Sequence, residues 1–180
     1  MKLSLTLLIL LTSACSTMKP IKTEPSVDID RFMGDWYVIA NIPTPIEKKA
    51  WNAVETYEKG EKNRIETTFI FNKGGTDGDV KTYTPVGFVN EDDPSNAVWG
   101  MRFIWPIKAE YIIMHVDDDY QETVIGRRKR DYLWIMAREP SLSEERLKAL
   151  IDMVVEEGYD RNEIRMVPQK GGYQPSKTSE

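Results

Sequence analysis

One histidine, one cysteine, three consecutive aspartates and one glycine-rich stretch are where this 180-residue chain could do chemistry. His115 is alone, so no histidine cluster can ligate a transition metal. At most it supplies an inward general base or a haem ligand, and otherwise it is a hydrogen-bonded structural residue. Asp117-Asp118-Asp119 offers the oxygen ligands that calcium takes, and the same triplet reads as a solvated turn. Gly74-Gly75-Thr76-Asp77-Gly78 lacks the lysine and helix that follow in a phosphate-cradling loop, and no GxSxG elbow occurs. No catalytic residue, metal site or cofactor is expected from these residues. A hydrolytic or isomerising enzyme working on a bound lipid remains an alternative, and it requires His115 at its centre.

The charge pattern points elsewhere. The chain carries a net charge of −5, which excludes a general nucleic-acid binder. Yet Arg127, Arg128, Lys129 and Arg130 stand in a row just before Tyr132-Leu133-Trp134-Ile135. Such a run either keeps a hairpin tip soluble or draws in anionic groups. The lone Cys15 cannot form an internal disulfide. It follows a basic start (Met1-Lys2), an apolar run from Leu3 to Leu11 too short to span a bilayer, and the small residues Thr12-Ser13-Ala14. This arrangement resembles a bacterial lipoprotein signal, which implies residues 1–14 as a cleaved leader and Cys15 as the acylated anchor. The alternative is a plain secretory signal with an incidental cysteine. Residues 15–28 are polar with two prolines and read as a tether, and residues 169–180 read as a disordered tail.

The elements that must position these groups follow from hydrophobic period. Between Asp35 and Arg138 the period is two. Stripes run through Trp36-Val38-Ala40-Ile42, Ile65-Thr67-Phe69-Phe71, Trp99-Met101-Phe103-Trp105 and Tyr132-Trp134-Met136-Arg138. Turn-forming clusters separate about eight such strands at hairpin spacing, a pattern that closes into an antiparallel up-and-down barrel holding one small ligand. After Pro140 the period becomes helical. Ser141 and Glu144 have capping-box spacing, Leu147, Leu150, Ile151 and Val154 form one stripe, and Gly158 supplies a stop. The expectation is an all-β fold: an eight-stranded barrel or calyx, one C-terminal helix packed outside, and a short final strand within Glu163–Val167.

Gly34-Asp35-Trp36-Tyr37 at the first strand, Asp131-Tyr132 at the last turn and Arg138 beyond it resemble the G-x-W signature, second motif and distant arginine of the lipocalin family. With the leader, the resemblance extends to the outer-membrane lipoprotein branch of that family and covers residues 29–168 as one domain. It implies an outer-membrane, lipid-anchored carrier of fatty acids or lysophospholipids, serving lipid storage, transport or envelope maintenance. It also implies that Gly34, Trp36 and Arg138 close the barrel floor. In an up-and-down barrel the first and last strands are antiparallel neighbours, so Trp36 meets Arg138 in a cation–π stack.

With Trp36 at the floor, strand direction sends the basic run, Lys48, Lys49, Lys73 and Lys108 to the mouth, and the acidic turns to the base. Parity then places Tyr57, Trp99, Met101, Phe103, Tyr111, Ile113, Tyr132, Trp134 and Met136 on the calyx lining, with Glu55 as an inward carboxylate needing a partner. The expected partners are an amphiphile with an anionic head and a membrane reached through the N-terminal lipid. Homodimerisation is left open. The competing reading is a structural lipoprotein whose barrel is filled by its own side chains.

Overall fold

The computed structural model describes residues 19–170. The leader, Cys15, the first residues of the tether and residues 171–180 of the tail lie outside them. A short helix α1 (Ile29–Phe32) precedes β1 (Gly34–Ile42), β2 (Ala50–Lys59), β3 (Arg64–Lys73), β4 (Asp79–Tyr83), β5 (Val86–Val89), β6 (Val98–Ile104), β7 (Ile107–Val116), β8 (Glu122–Gly126) and β9 (Leu133–Ala137). Helix α2 (Glu144–Glu156), a 3-10 turn (Arg161–Glu163) and β10 (Arg165–Met166) complete it.

All pairings are antiparallel, and the sheet closes where β1 meets β9, from Tyr37↔Ala137 to Ile42↔Leu133. The fourth barrel strand is in two pieces. Both β4 and β5 pair with β3, and only β5 continues to β6. The break falls at Thr84-Pro85, where proline has no N–H to donate to a ladder. Counting these pieces as one strand gives a closed eight-stranded barrel, and β10 adds to the outer edge at Ala40 and Asn41.

Two bulges correct the parity expected from sequence. The register of β1 shifts between Val38 and Ala40, so the expected stripe splits. Trp36 and Val38 belong to the interior cluster, whereas Ala40 and Ile42 belong to the cluster beneath α2. Asn41 is buried at 4% exposure and its amide turns toward the loop after β1. In β7 the shift lies between Ile113 and His115. Ile113 and Val116 face the interior and Met114 faces α2. The extra residue of a bulge re-aims every side chain beyond it.

Helix α2 lies outside the barrel on Ile112, Met114, Val124, Leu133 and Ile135 through Leu150 and Val154, with Leu147 and Ile151 at the margin. Its cap differs from the expected one: Ser143, not Ser141, is the N-cap and accepts from the Arg146 N–H. Leu142 packs against the outer cluster, which fixes the chain's entry two residues later than the capping-box spacing implied. Gly158 (φ +96°) follows the helix end.

The segment read as a tether is bound from Lys19 onward. Ile21 and Val27 are buried. The Glu24 N–H donates to the Ile113 carbonyl at 2.9 Å and the Val27 N–H to that of Ser95 at 2.8 Å. Composition missed this because two well-placed apolar residues suffice when backbone groups meet free partners on the barrel. The first two tail residues are bound as well, with Gln169 Nε2 donating to the carbonyls of Val38 and Ala53.

Candidate functional site

The floor is a closed polar clamp around an aromatic plug. Helix α1, capped by the Asp28 carboxylate, drives the fully buried Phe32 ring upward to 5.1 Å from Trp36, 5.6 Å from Tyr57 and 5.5 Å from Trp99. Arg138 lies 3.7 Å over the Trp36 ring, a geometry worth about 0.5–2 kcal/mol. Its guanidinium also donates at 2.8 Å to the carbonyls of Arg31, Met33 and Asp35. Desolvation lowers its pKa to about 10, which leaves it charged at neutral pH. Gly34 (φ +93°) makes the turn that brings these carbonyls round, in a conformation that favours glycine.

Above the plug the interior turns acidic. The Glu55 carboxyl accepts from the Tyr57 hydroxyl, and the Tyr111 hydroxyl bonds to that of Tyr57. Each phenol has one hydrogen, so Tyr57 donates to Glu55 and Tyr111 donates to Tyr57. Burial raises the Glu55 pKa to about 7, opposed by these bonds and reinforced by nearby Glu47. Glu47 comes from the loop after β1 and is 3% exposed. It accepts from Thr44 Oγ1 at 2.8 Å, Asn41 Nδ2 at 3.2 Å and Trp134 Nε1 at 3.1 Å. Its pKa is raised by desolvation, against those bonds. Nothing in the local sequence marked Glu47, because the β1 bulge that presents Asn41 to it leaves no trace in the hydrophobic period.

Two adjoining cavities lie over this layer. An inner one of about 130 Å³ is lined by Glu55, Thr67, Met101, Tyr111, Arg127 and Trp134, among others. An outer, more open groove of about 510 Å³ is lined by Pro45, Ile46, Thr82, Tyr83 and Thr84. Thr44, Pro85 and Phe103 line both and form the neck between them.

The sequence-derived lining therefore divides by height. Met101, Phe103, Tyr111, Tyr132 and Trp134 border the inner cavity. Tyr57, Trp99, Ile113 and Met136 lie in the packed interior cluster and do not line it. Phe103 is 44% exposed at the rim, and Trp105 beyond it is 78% exposed.

The basic run is divided too. Arg127 lines the inner cavity and pairs with Asp131 at 3.3 Å, while its buried Nε–H has no partner among the described residues. Arg128 pairs with Glu110, and Lys129 is exposed. Arg130 donates to the carbonyls of Lys19 at 2.7 Å and Glu157 at 3.0 Å. Its charge ties the N-terminal segment to the end of α2 and does not face the mouth opening. His115 is on the outer wall, with Nδ1 3.9 Å from Glu24 and Nε2 3.6 Å from Glu122; Glu122 is bonded in turn by Arg146 of α2. The histidine that the enzyme alternative placed at its centre thus faces these outer carboxylates.

Comparison with known proteins agrees with this architecture. The chain is 29% identical to temperature-induced lipocalin-1 of Arabidopsis thaliana, over 84% of each chain. It is also 29% identical to the outer membrane lipoprotein Blc of Citrobacter freundii, over 89% of this chain and 92% of that one. Among solved structures, insecticyanin from the tobacco hornworm Manduca sexta superposes with a TM-score of 0.64 at 13% identity, covering 86% of this chain and 87% of that chain. Lobster apocrustacyanin A1 superposes with a TM-score of 0.64 at 12% identity, covering 80% and 81%. The Lipocalin-like domain family matches residues 27–169, and with the closed barrel and its outer helix this establishes that the chain belongs to the lipocalin-like family.

Proposed function

We propose that the protein is a lipid-anchored carrier that binds a single-chain amphiphile with an anionic head, of the fatty acid or lysophospholipid class. The observation that carries this reading is the neck. An apolar groove of about 510 Å³, within the roughly 300–1,000 Å³ typical of small-molecule sites, adjoins at Thr44, Pro85 and Phe103 an inner cavity whose lining includes Arg127. Arg127 is the one basic residue of that lining, and an anionic oxygen beside it gains a charge-assisted hydrogen bond. Glu55 and Glu47 lie below, so an anionic head is turned away from the depth and kept at Arg127, while the chain occupies the groove and the apolar part of the inner cavity.

The relatives named outer membrane lipoproteins, together with the leader and Cys15, support an anchored protein at the bacterial outer membrane, acting in lipid storage, transport or envelope maintenance. A filled-barrel structural lipoprotein is the second reading, favoured by the aromatic packing of the lower half. Displacement of a fluorescent fatty acid separates the two. Binding should saturate at one site and weaken about tenfold in Arg127→Ala, because the charge-assisted contact is worth about 1.5 kcal/mol. No saturable binding at any concentration would leave the filled barrel standing.

A further inference from the structure

The upper wall of the barrel has a seam, and an exposed apolar tip stands beside it. Strand β6 is bonded on one side to β5 only from Val89↔Trp99 to Val86↔Arg102, while β4 is bonded to β3 alone. From Phe103 upward, β6 and the free edge of β4 therefore face each other without a ladder. The outer groove borders this seam: Thr82, Tyr83, Thr84 and Pro85 line it together with Phe103, and Thr44, Pro45 and Ile46 of the loop after β1 complete its lining. The turn joining β6 to β7 carries Trp105 at 78% exposure, Ile107 at the start of β7 is 69% exposed, and Val80 on β4 is 61% exposed. These are the most exposed large apolar residues among the described part of the chain.

Charge is layered beneath the tip. Lys108 and Arg102 lie against the Phe88 ring at 3.8 and 4.7 Å on the outer wall, and Lys48, Lys49 and Lys73 are exposed around the same rim. Asp77 and Asp79 oppose them, with Asp79 paired to Lys81 at 3.3 Å. An indole and a branched aliphatic projecting past a row of cations match the depth profile of an anionic bilayer surface, where tryptophan sits at the interface and lysine meets the headgroups.

We propose that the Trp105-Pro106-Ile107 tip seats in the surface of an anionic bilayer and holds the seam between β4 and β6 against it, so that an acyl chain enters sideways from the lipid without crossing water. The seating stands on the exposed tip and its cations alone; the sideways route rests on the carrier reading.

The test uses the full chain carrying Cys15→Ser, which removes the thiol for lipid attachment, and phosphatidylglycerol vesicles with brominated acyl chains. Bromine should quench tryptophan fluorescence in the parent. With Trp51→Phe in both parent and variant, because Trp51 is only half-buried, the quenching should vanish in Trp105→Phe while co-sedimentation falls less than about threefold, since Trp36, Trp99 and Trp134 are buried. Combining Trp105→Ser with Ile107→Ser should reduce co-sedimentation at least about tenfold with an unchanged melting temperature. Quenching that persists in Trp105→Phe, or undiminished sedimentation of the double variant, overturns the seating. So does a dimer in light scattering that the double variant disperses without any vesicle binding, which would assign the patch to a second copy.

For the route, a fluorescent fatty acid is transferred from vesicles to protein. The rate should rise with vesicle concentration in the parent and become independent of it in the double variant, with affinity for free fatty acid unchanged within about twofold. A concentration-independent rate in the parent overturns the route and leaves the carrier reading intact. Failure of the parent to bind free fatty acid ends the carrier reading and the route together, while the seating is still judged by quenching.

Discussion

Trp99 and Phe103 belong to one strand, four residues apart, the second within the register shift between Met101 and Ile104, and they are treated in opposite ways. Trp99 is 1% exposed, wedged among Phe32, Tyr57 and Tyr111, and its indole N–H donates to the Asn96 carbonyl at 2.7 Å. Phe103 is 44% exposed and borders both cavities. The lower half of the barrel uses its aromatics as core, clamped from below by Arg138. The upper half leaves apolar surface exposed and a wall interrupted between β4 and β6. Stability and binding are thus assigned to different heights of the same strands, and each half can be perturbed separately.

The largest effect is expected at the plug. Trp99→Ala removes a fully buried indole and should destabilise the protein by about 4 kcal/mol, read from urea unfolding midpoints. A loss under about 1 kcal/mol would mean that the lower half is loosely filled, and the contrast with the rim would collapse.

The next effect has the opposite sign and lies at the boundary between the halves. The Glu55 carboxyl titrates near 4.5 when unfolded and at about 7 when folded, so folding takes up a proton between those values. Its contribution is complete below about pH 4.5 and is lost as pH rises through 7. By pH 8 the folded state holds a buried anion at a cost of about 3 kcal/mol. Glu55→Gln should therefore be more stable than the parent by roughly this amount at pH 8, the two converging below pH 5. A difference that does not change with pH would remove the titration from the account.

Arg138→Lys comes third, at about 2 kcal/mol of destabilisation. A lysine keeps the charge over Trp36 but, as a compact ammonium, cannot spread donors to the carbonyls of Arg31, Met33 and Asp35, as the planar guanidinium does. Full retention of stability would reduce the clamp to its cation–π stack.

The same division explains what was legible in the sequence. Strand period, turn chemistry and the Trp36–Arg138 pairing are properties of the tightly packed half, where alternation must be kept because a slip would expose the core. The upper half and the outer wall obey looser rules. A bulge after Val38 swaps Ala40 outward and Asn41 inward, and with it brings in Glu47. A bulge after Ile113 precedes His115, which ends on the outer wall. The packing of Ile21 and Val27 was illegible because two apolar residues in a polar segment carry no period. Arg130 looked like its three basic neighbours, and only its carbonyl partners on Lys19 and Glu157 distinguish it. Pro85 was visible in the chain, but its consequence, a barrel strand in two pieces, depends on which neighbours fail to pair.

The smallest stability effect is the sharpest probe of the comparison. Phe103→Ala deletes an aromatic ring, as Trp99→Ala does, from the same strand, β6. Because Phe103 keeps 44% of its surface in water, much of its transfer free energy is never realised on folding, and no closed cavity remains when it is removed. Unfolding should shift by less than about 1 kcal/mol. Affinity for a fluorescent fatty acid should fall about threefold to tenfold, since the ring forms part of the neck shared by the two cavities. The ratio of these losses is the discriminating quantity: a residue that serves folding loses stability first, and one that serves the ligand loses affinity first. If Phe103→Ala instead unfolds the protein as readily as Trp99→Ala and leaves fatty-acid binding unchanged, the rim is core and the barrel has no upper compartment to fill.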